Sequence, residues 1–257
     1  MPAPINTLKQ RFQAGDTTFG CWLCFAESAT TEVMGTAGFD WLVIDSEHSP
    51  NDIRSIRDQL IALEASPSPS VVRVPVGEPW IIKQMLDIGA QSILVPMVES
   101  GEQAVQMVRA CTYPPNGIRG VGATSTRSSR FSTIGDYMET ADDQIALILQ
   151  VESRAGLAAL DDILAVDGVD CVFIGPADLA ADMGHPGNLQ HPEVHDAIVE
   201  TLGKIAAAGK VPGILSLSED VIESYVAAGA RFVAVAIDVI TLSNAAQAAA
   251  KRWIKQS

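Results

Sequence analysis

The chain has 257 residues, enough for a large hydrophobic core and close to the size of one (β/α)8 barrel. Hydrophobic residues make up 47%, which excludes a disordered chain; 17 basic residues against 31 acidic ones leave a net charge of −14, which argues against nucleic acid as a partner and weakly against a polyanion held by charge alone. The apolar runs fall well short of the roughly 18 residues of a membrane span, and residues 1–6 lack the charged and apolar regions of a signal peptide, so neither membrane association nor export is expected and a cytoplasmic location is.

Residues 5–15 have the spacing of a short amphipathic helix, 18–24 read as a first strand and 29–37 as its helix. Residues 41–44 form a second strand that ends in Asp45-Ser46-Glu47-His48, and Asn51 is expected to cap a helix running to about 64. A third strand covers 70–74, a helix 78–88 ends at Gly89, and a fourth strand covers 92–95. A helix over 102–111 leads into the longest irregular segment, 113–133, rich in Gly, Ser, Thr and Arg. Strand five spans 146–151, and strand six ends at Ile174, where Gly175-Pro176 stops it. A long helix over 192–208, strand seven over 211–215, a helix over 219–228, strand eight over 232–237 and a closing helix over 240–254 complete the chain. Eight nearly continuous apolar strands alternating with helices predict a single-domain, closed parallel barrel of the TIM type over 1–257. The apolar Ile240, Leu242 and Trp253 of the closing helix, set among alanines, predict that it packs on a neighbouring subunit of a homo-oligomer.

Active sites of such barrels lie at the C-terminal ends of the strands, which singles out Asp45, His48, Arg73, Gln150, Glu152, Asp178 and Leu215. Glu152 and Asp178 are 26 residues apart, about one β–α repeat, so they fall on adjacent strand ends and can hold a metal between them. Hard oxygen ligands with few others suit Mg²⁺ or Mn²⁺ rather than Zn²⁺. Asp178 also stands where a helix begins, so a cation and an anion can share that corner. Arg73 and Gln150 are polar residues within buried strands, a costly placement unless they are paired or used. Asp45 and His48, three apart on one loop, can form an oriented general base, or can be a helix cap and a solvent-facing imidazole. Cys21 and Cys24 spell C-x-x-C, but on a strand they face opposite sides and cannot share a metal. His185, His191 and His195 read as exposed surface residues. Among the lysines, Lys9, Lys83, Lys204, Lys210, Lys251 and Lys255, none falls at a strand's C-terminal end, which disfavours Schiff-base chemistry.

Asp45-x-Glu-His48, Val72-Arg73, Leu149-Gln150-Val151-Glu152 and Gly175-Pro176-Ala177-Asp178-Leu179 together resemble the HpcH/HpaI aldolases. The likeness extends to Val95-Pro96-Met97-Val98, to Tyr113-Pro114-Pro115-x-Gly117-Ile118-Arg119-Gly120-Val121-Gly122 and to Pro212-Gly213-Ile214-Leu215, and is strongest toward the 4-hydroxy-2-oxoheptanedioate aldolase branch, from which Ser46 and the run Leu215-Ser216-Leu217-Ser218 depart. The resemblance implies a class II aldolase that cleaves 4-hydroxy-2-oxo acids to pyruvate and an aldehyde through a metal-stabilised enolate, with Mg²⁺, Mn²⁺ or Co²⁺ as cofactor. It assigns the metal to Glu152 and Asp178, a neighbouring polar role to Gln150, the pyruvate carboxylate to the N–H groups of Ala177 and Asp178, the keto oxygen to Arg73, and the base to His48 paired with Asp45. Trp22 and Leu215 match pocket-lining positions, and Asp87 matches a carboxylate lent to a neighbouring subunit's site, in a family that is often hexameric. Two alternatives stay open: a carbon–carbon lyase acting on CoA thioesters, for which Arg127 and Arg130 are the clustered basic candidates, and a non-catalytic small-molecule binding barrel.

Overall fold

The computed structural model describes residues 1–254; Lys255, Gln256 and Ser257, the end of the expected domain, lie outside the described residues. Eight strands, β1 Thr18–Leu23, β2 Trp41–Asp45, β3 Ser70–Arg73, β4 Ser92–Val95, β5 Ala146–Val151, β6 Cys171–Ile174, β7 Val211–Leu215 and β8 Phe232–Ile237, pair in parallel and in sequence order, with β8 closing on β1. The helices are α1 Thr7–Ala14, α2 Ser28–Gly35, α3 Ile53–Ala62, α4 Pro79–Asp87, α5 Gly101–Cys111, α6 Tyr137–Thr140, α7 Arg154–Ala158, α8 Leu160–Leu164, α9 Pro176–Asp182, α10 Pro192–Ala207, α11 Glu219–Ala227 and α12 Asp238–Trp253. The expected (β/α)8 barrel is therefore the fold.

Strand parity organises everything above it. Val43 and Trp41 of β2, Val71 of β3, Leu94 of β4, Ile148 of β5, Phe173 of β6 and Phe232 of β8 meet inside the barrel, while Leu42, Ile44, Val72, Ile93, Leu149 and Val172 face the helices. Trp41 stacks on Phe232 at 3.8 Å between ring centroids, and Trp22 and Phe173 complete the filling, so the barrel is a packed core and not a pore. Glycine makes room for these rings: a Cβ on Gly20 would lie 2.1 Å from the Trp41 ring, and one on Gly213 2.6 Å from Phe173. Helix α1 closes the bottom, with Leu8 and Phe12 joining the interior cluster and Asn6 capping it by accepting from Lys9 N–H.

Two local expectations are corrected. Helix α3 is capped by Asp52, which accepts from the N–H groups of Arg54 and Ser55 in a capping box with Ser55, and not by Asn51. The Asn51 side chain instead donates to the Asp45 carbonyl at 2.5 Å and accepts from Gln59 and Ser55, tying the β2 loop to the helix. The closing helix begins at Asp238, whose carboxylate accepts from Cys24 N–H at 2.9 Å, and almost all of α12 beyond it is exposed. Cys21 packs toward the helices and Cys24 toward the interior cluster, as strand parity requires.

Candidate active site

The same parity that puts Val43, Val71 and Ile148 inside puts Asp45, Arg73 and Gln150, each two residues further along its strand, inside at the top of the barrel. Asp45 and Arg73 are register partners on β2 and β3. Their side chains meet in a two-point ion pair, Arg73 Nε and Nη2 each donating to one Asp45 oxygen at 2.8 Å. The Arg73 guanidinium lies over the Trp22 ring, 5.3 Å from its centroid, so Trp22 is the floor under the charge. Glu47 Oε2 stands 2.8 Å from Arg73 Nη1. Burial disfavours the Arg73 charge, but the hydrogen bonds and charge of Asp45, joined by Glu47, outweigh it and hold the guanidinium above its ordinary value. Ser46, facing the other way, donates to the Arg73 carbonyl at 2.5 Å and locks the two strand ends together.

Across the barrel, Glu152 leaves the end of β5 and is 2% exposed. Its Oε1 accepts from Met97 N–H at 2.8 Å, and its Oε2 accepts from Gln150 Nε2. Met97 adopts a left-handed φ of 54° that aims this N–H, a strained conformation of the kind found at functional sites. Burial pushes the Glu152 carboxyl up to about 7, with Glu47 and Asp178 adding repulsion against the hydrogen bonds of Gln150 and Met97. Asp178 is exposed in the first turn of α9, next to Ala177, and Pro176 leaves these two N–H groups as the helix's free donors. Leu215 ends β7 against the interior cluster.

This cluster fits a hard divalent cation. Glu152, Asp178 and the unpartnered, buried Gln150 Oε1 supply oxygen acceptors in excess of the donors present. Gly175 keeps the corner open: a Cβ there would lie 2.1 Å from Glu152 Oε2 and 2.8 Å from Gln150 Nε2.

The expected pairing of Asp45 with His48 is not what the structure contains. Both Asp45 oxygens go to Arg73, with Glu47 N–H and Ser49 Oγ as further donors at 3.0 and 3.4 Å. The His48 side chain is 64% exposed at the rim, and its Nε2 approaches Glu47 Oε2 at 3.9 Å. Asp87, at the C-terminal end of α4, lies at the opposite end of its own barrel, 3.8 Å from the buried Arg119. Glu47 and Met97 were not singled out as site residues. Glu47 carried a signal, since it shares the inward parity of Asp45; the backbone role of Met97 carried none.

Other features lie apart from this cluster. A cavity of about 710 Å³ opens at the bottom of the barrel, lined by Asn6, Ser68, Ser92 and Arg127. Arg127 donates there to Glu64 at 3.0 Å, and Arg130 lies 3.5 Å from the same carboxylate, so neither awaits a phosphate at the active end. His185 and His191 are not solitary surface residues: their rings stack at 3.5 Å, and His185 Nε2 sits 2.9 Å from Glu193 Oε2. His195 stacks instead on Tyr225. None of the described lysines lies in a strand; Lys9 donates to the Ile145 carbonyl at the bottom rim, at 2.5 Å.

The family model described as HpcH/HpaI aldolase/citrate lyase matches residues 18–245. The chain is 57% identical to a hydroxypyruvate/pyruvate aldolase of Roseobacter denitrificans, over 98% of this chain and 99% of that one. It is 47% identical to a 4-hydroxy-2-oxo-heptane-1,7-dioate aldolase of Shigella sonnei, over 98% and 96%. Its fold matches the crystal structure of an HpcH/HpaI aldolase/citrate lyase family protein from Burkholderia cenocepacia with a TM-score of 0.93 at 40% identity, over 96% and 98% of the two chains. The barrel, its polar upper rim and these similarities agree: the chain belongs to the HpcH/HpaI aldolase/citrate lyase family and is an aldolase, a carbon–carbon lyase.

Proposed function

We propose that this aldolase is of the metal-dependent class II and cleaves 4-hydroxy-2-oxo acids to pyruvate and an aldehyde, with Glu152 and Asp178 holding Mg²⁺, Mn²⁺ or Co²⁺. The observation that carries the assignment is the acceptor-rich corner around Glu152, whose carboxyl burial pushes up to about 7, facing a fixed cation at Arg73. A divalent ion held by Glu152 and Asp178 would supply Lewis acidity for the developing enolate.

The chain's own groups account for the rest. The free N–H groups of Ala177 and Asp178 bind the C1 carboxylate. Arg73, held at two points by Asp45, keeps one guanidinium edge for the C2 oxygen and stabilises the negative charge that gathers there. His48 takes the proton of the 4-hydroxyl; the C3–C4 bond breaks, its electrons pass into the enolate of pyruvate, and the C4 fragment leaves as an aldehyde. A proton delivered to C3 completes pyruvate. Trp22 and Leu215 bound the pocket and Gln150 steadies Glu152.

The relatives named for both hydroxypyruvate and pyruvate support a donor site open to either three-carbon 2-oxo acid. The place of Arg127 and Arg130 at the bottom of the barrel, both beside Glu64 and away from the strand ends that carry the site, speaks against the CoA-thioester alternative. The exposed apolar face of α12, with Leu242 55% and Trp253 81% exposed, supports a homo-oligomer, for which we propose a hexamer. In it Asp87, remote from its own site, serves a neighbour's. The location we propose is cytoplasmic; no described helix is long and apolar enough to cross a membrane.

The testing experiment is proton exchange at the methyl group of pyruvate in D2O, followed by NMR. Exchange that requires both added divalent metal and intact Arg73 is expected; exchange unaffected by EDTA contradicts the assignment.

A further inference from the structure

We propose that Glu47 is a positioning residue for both halves of the site: its carboxylate restrains the Nη1 side of Arg73 and sets the orientation and tautomer of the His48 imidazole. The inference rests on the roles given above to Arg73 and His48.

An ionised carboxylate has about four lone-pair positions. Asp45 already has four donors: Arg73 Nε and Glu47 N–H at Oδ1, and Arg73 Nη2 and Ser49 Oγ at Oδ2. It has no capacity left for an imidazole, and its work is to hold Arg73. Glu47 is in the opposite condition. Its Oε2 is buried and lies 2.8 Å from Arg73 Nη1, yet no donor reaches it in hydrogen-bonding geometry. A buried carboxylate oxygen in that condition is costly and calls for a donor.

The nearest imidazole nitrogen is His48 Nε2, 3.9 Å away. The ring is mostly exposed and makes no side-chain hydrogen bond among the described residues, so a rotation that closes the gap by about 1 Å opposes little packing. A donated Nε2–H then leaves Nδ1 as the lone-pair nitrogen, the one able to take a proton. Asp45 and Glu47, two apart with the same parity, thus divide the labour: the first fixes the cation, the second links the cation to the base.

The test uses the intact, metal-loaded enzyme and two readouts. The first is ¹⁵N NMR of the histidines, with the His48 signals identified by their loss in His48→Gln. Wild type should show the Nε2–H tautomer. Glu47→Ala should mix the tautomers, and Glu47→Gln, whose amide oxygen can accept the same proton, should restore the single one. The second readout is kinetic. Glu47→Ala should lower kcat for cleavage on the order of 10-fold to 100-fold, the scale for losing a positioning contact, and Glu47→Gln should recover part of it. Pyruvate affinity should change less than about 3-fold, because Asp45 still clamps Arg73. Asp45→Asn should do the reverse, weakening pyruvate binding while leaving the His48 tautomer alone. If Glu47→Ala fails to fold, Glu47→Leu, which keeps the bulk and removes the acceptor, takes its place and should mix the tautomers in the same way. A His48 tautomer that responds to Asp45→Asn, or one that ignores removal of the Glu47 acceptor, overturns the inference. Wild-type cleavage by His48→Ala overturns the assignment of the base instead, and the two failures are distinct.

Discussion

Replacing Gly175 with alanine is the smallest change expected to disable this site. Its backbone, at φ −86° and ψ 95°, is open to any residue, so the substitution adds no backbone strain. The difficulty is spatial: the new methyl carbon would stand 2.1 Å from Glu152 Oε2 and 2.8 Å from Glu152 Cβ and Gln150 Nε2. Relief requires Glu152 to retreat by about 1 Å, and a displacement of that size at a reacting centre costs on the order of 10²-fold in rate. Gly175 is buried, so overpacking should also lower stability, by about 1–3 kcal/mol. We expect Gly175→Ala to fold, to show a reduced kcat for pyruvate release from a 4-hydroxy-2-oxo acid, and to need more metal for half-maximal rate. Steady-state kinetics over a Mn²⁺ titration, with a thermal melt of the same sample, measures all three. Wild-type kcat and unchanged metal demand would refute both the position of Glu152 and its role.

Three further outcomes follow from the same geometry. Arg73→Ala should lose on the order of 10²-fold or more in turnover, as for deletion of one electrostatic group at a developing oxyanion, and Arg73→Lys should be impaired because the planar fork onto Asp45 is lost; near-normal rates in both would make Arg73 structural. Burial pushes the Cys111 thiol up to about 12 from 9.0, so between those values the unfolded chain binds fewer protons than the folded one and stability falls as pH rises, by up to about 1.4 kcal/mol per pH unit. Denaturant unfolding of Cys111→Ala across pH 8–11 should show a flatter decline than wild type, roughly in proportion to that share, and parallel curves would contradict it. Leu242→Glu combined with Trp253→Glu should shift the sedimenting species to smaller mass, whereas a fully active wild-type monomer at working concentration would remove the basis for α12 as a contact surface.

The barrel was legible because each strand is a short, nearly unbroken apolar run between breakers, a pattern that a buried parallel sheet requires. That same continuity hides which side chains face inward. Val43 and Ile44 look alike in sequence, and only closure of the sheet assigns one to the interior and the other to the helices. Arg73 and Gln150 stood out as polar intrusions, and Glu152 and Asp178 by their strand-end spacing. The partner of Arg73 did not stand out, because the two-point contact with Asp45 depends on β2–β3 register across 28 residues of chain. Sequence proximity favoured His48 instead, three residues away, although the backbone turns its ring outward. Asn51 and Asp52 are adjacent and both suited to capping, and what separates them is the Asp45 carbonyl that draws the Asn51 amide away.

The central claim is a metal-dependent cleavage carried by Glu152 and Asp178 opposite Arg73, and it is tested most directly by a retro-aldol assay on a panel of 4-hydroxy-2-oxo acids with enzyme stripped by EDTA. The stripped enzyme should release no pyruvate, Mg²⁺, Mn²⁺ or Co²⁺ should restore release, and Glu152→Ala, still folded by circular dichroism, should not recover with any of them at concentrations that saturate the wild type. Pyruvate release that persists after complete metal removal, or full recovery of Glu152→Ala at those concentrations, would contradict it.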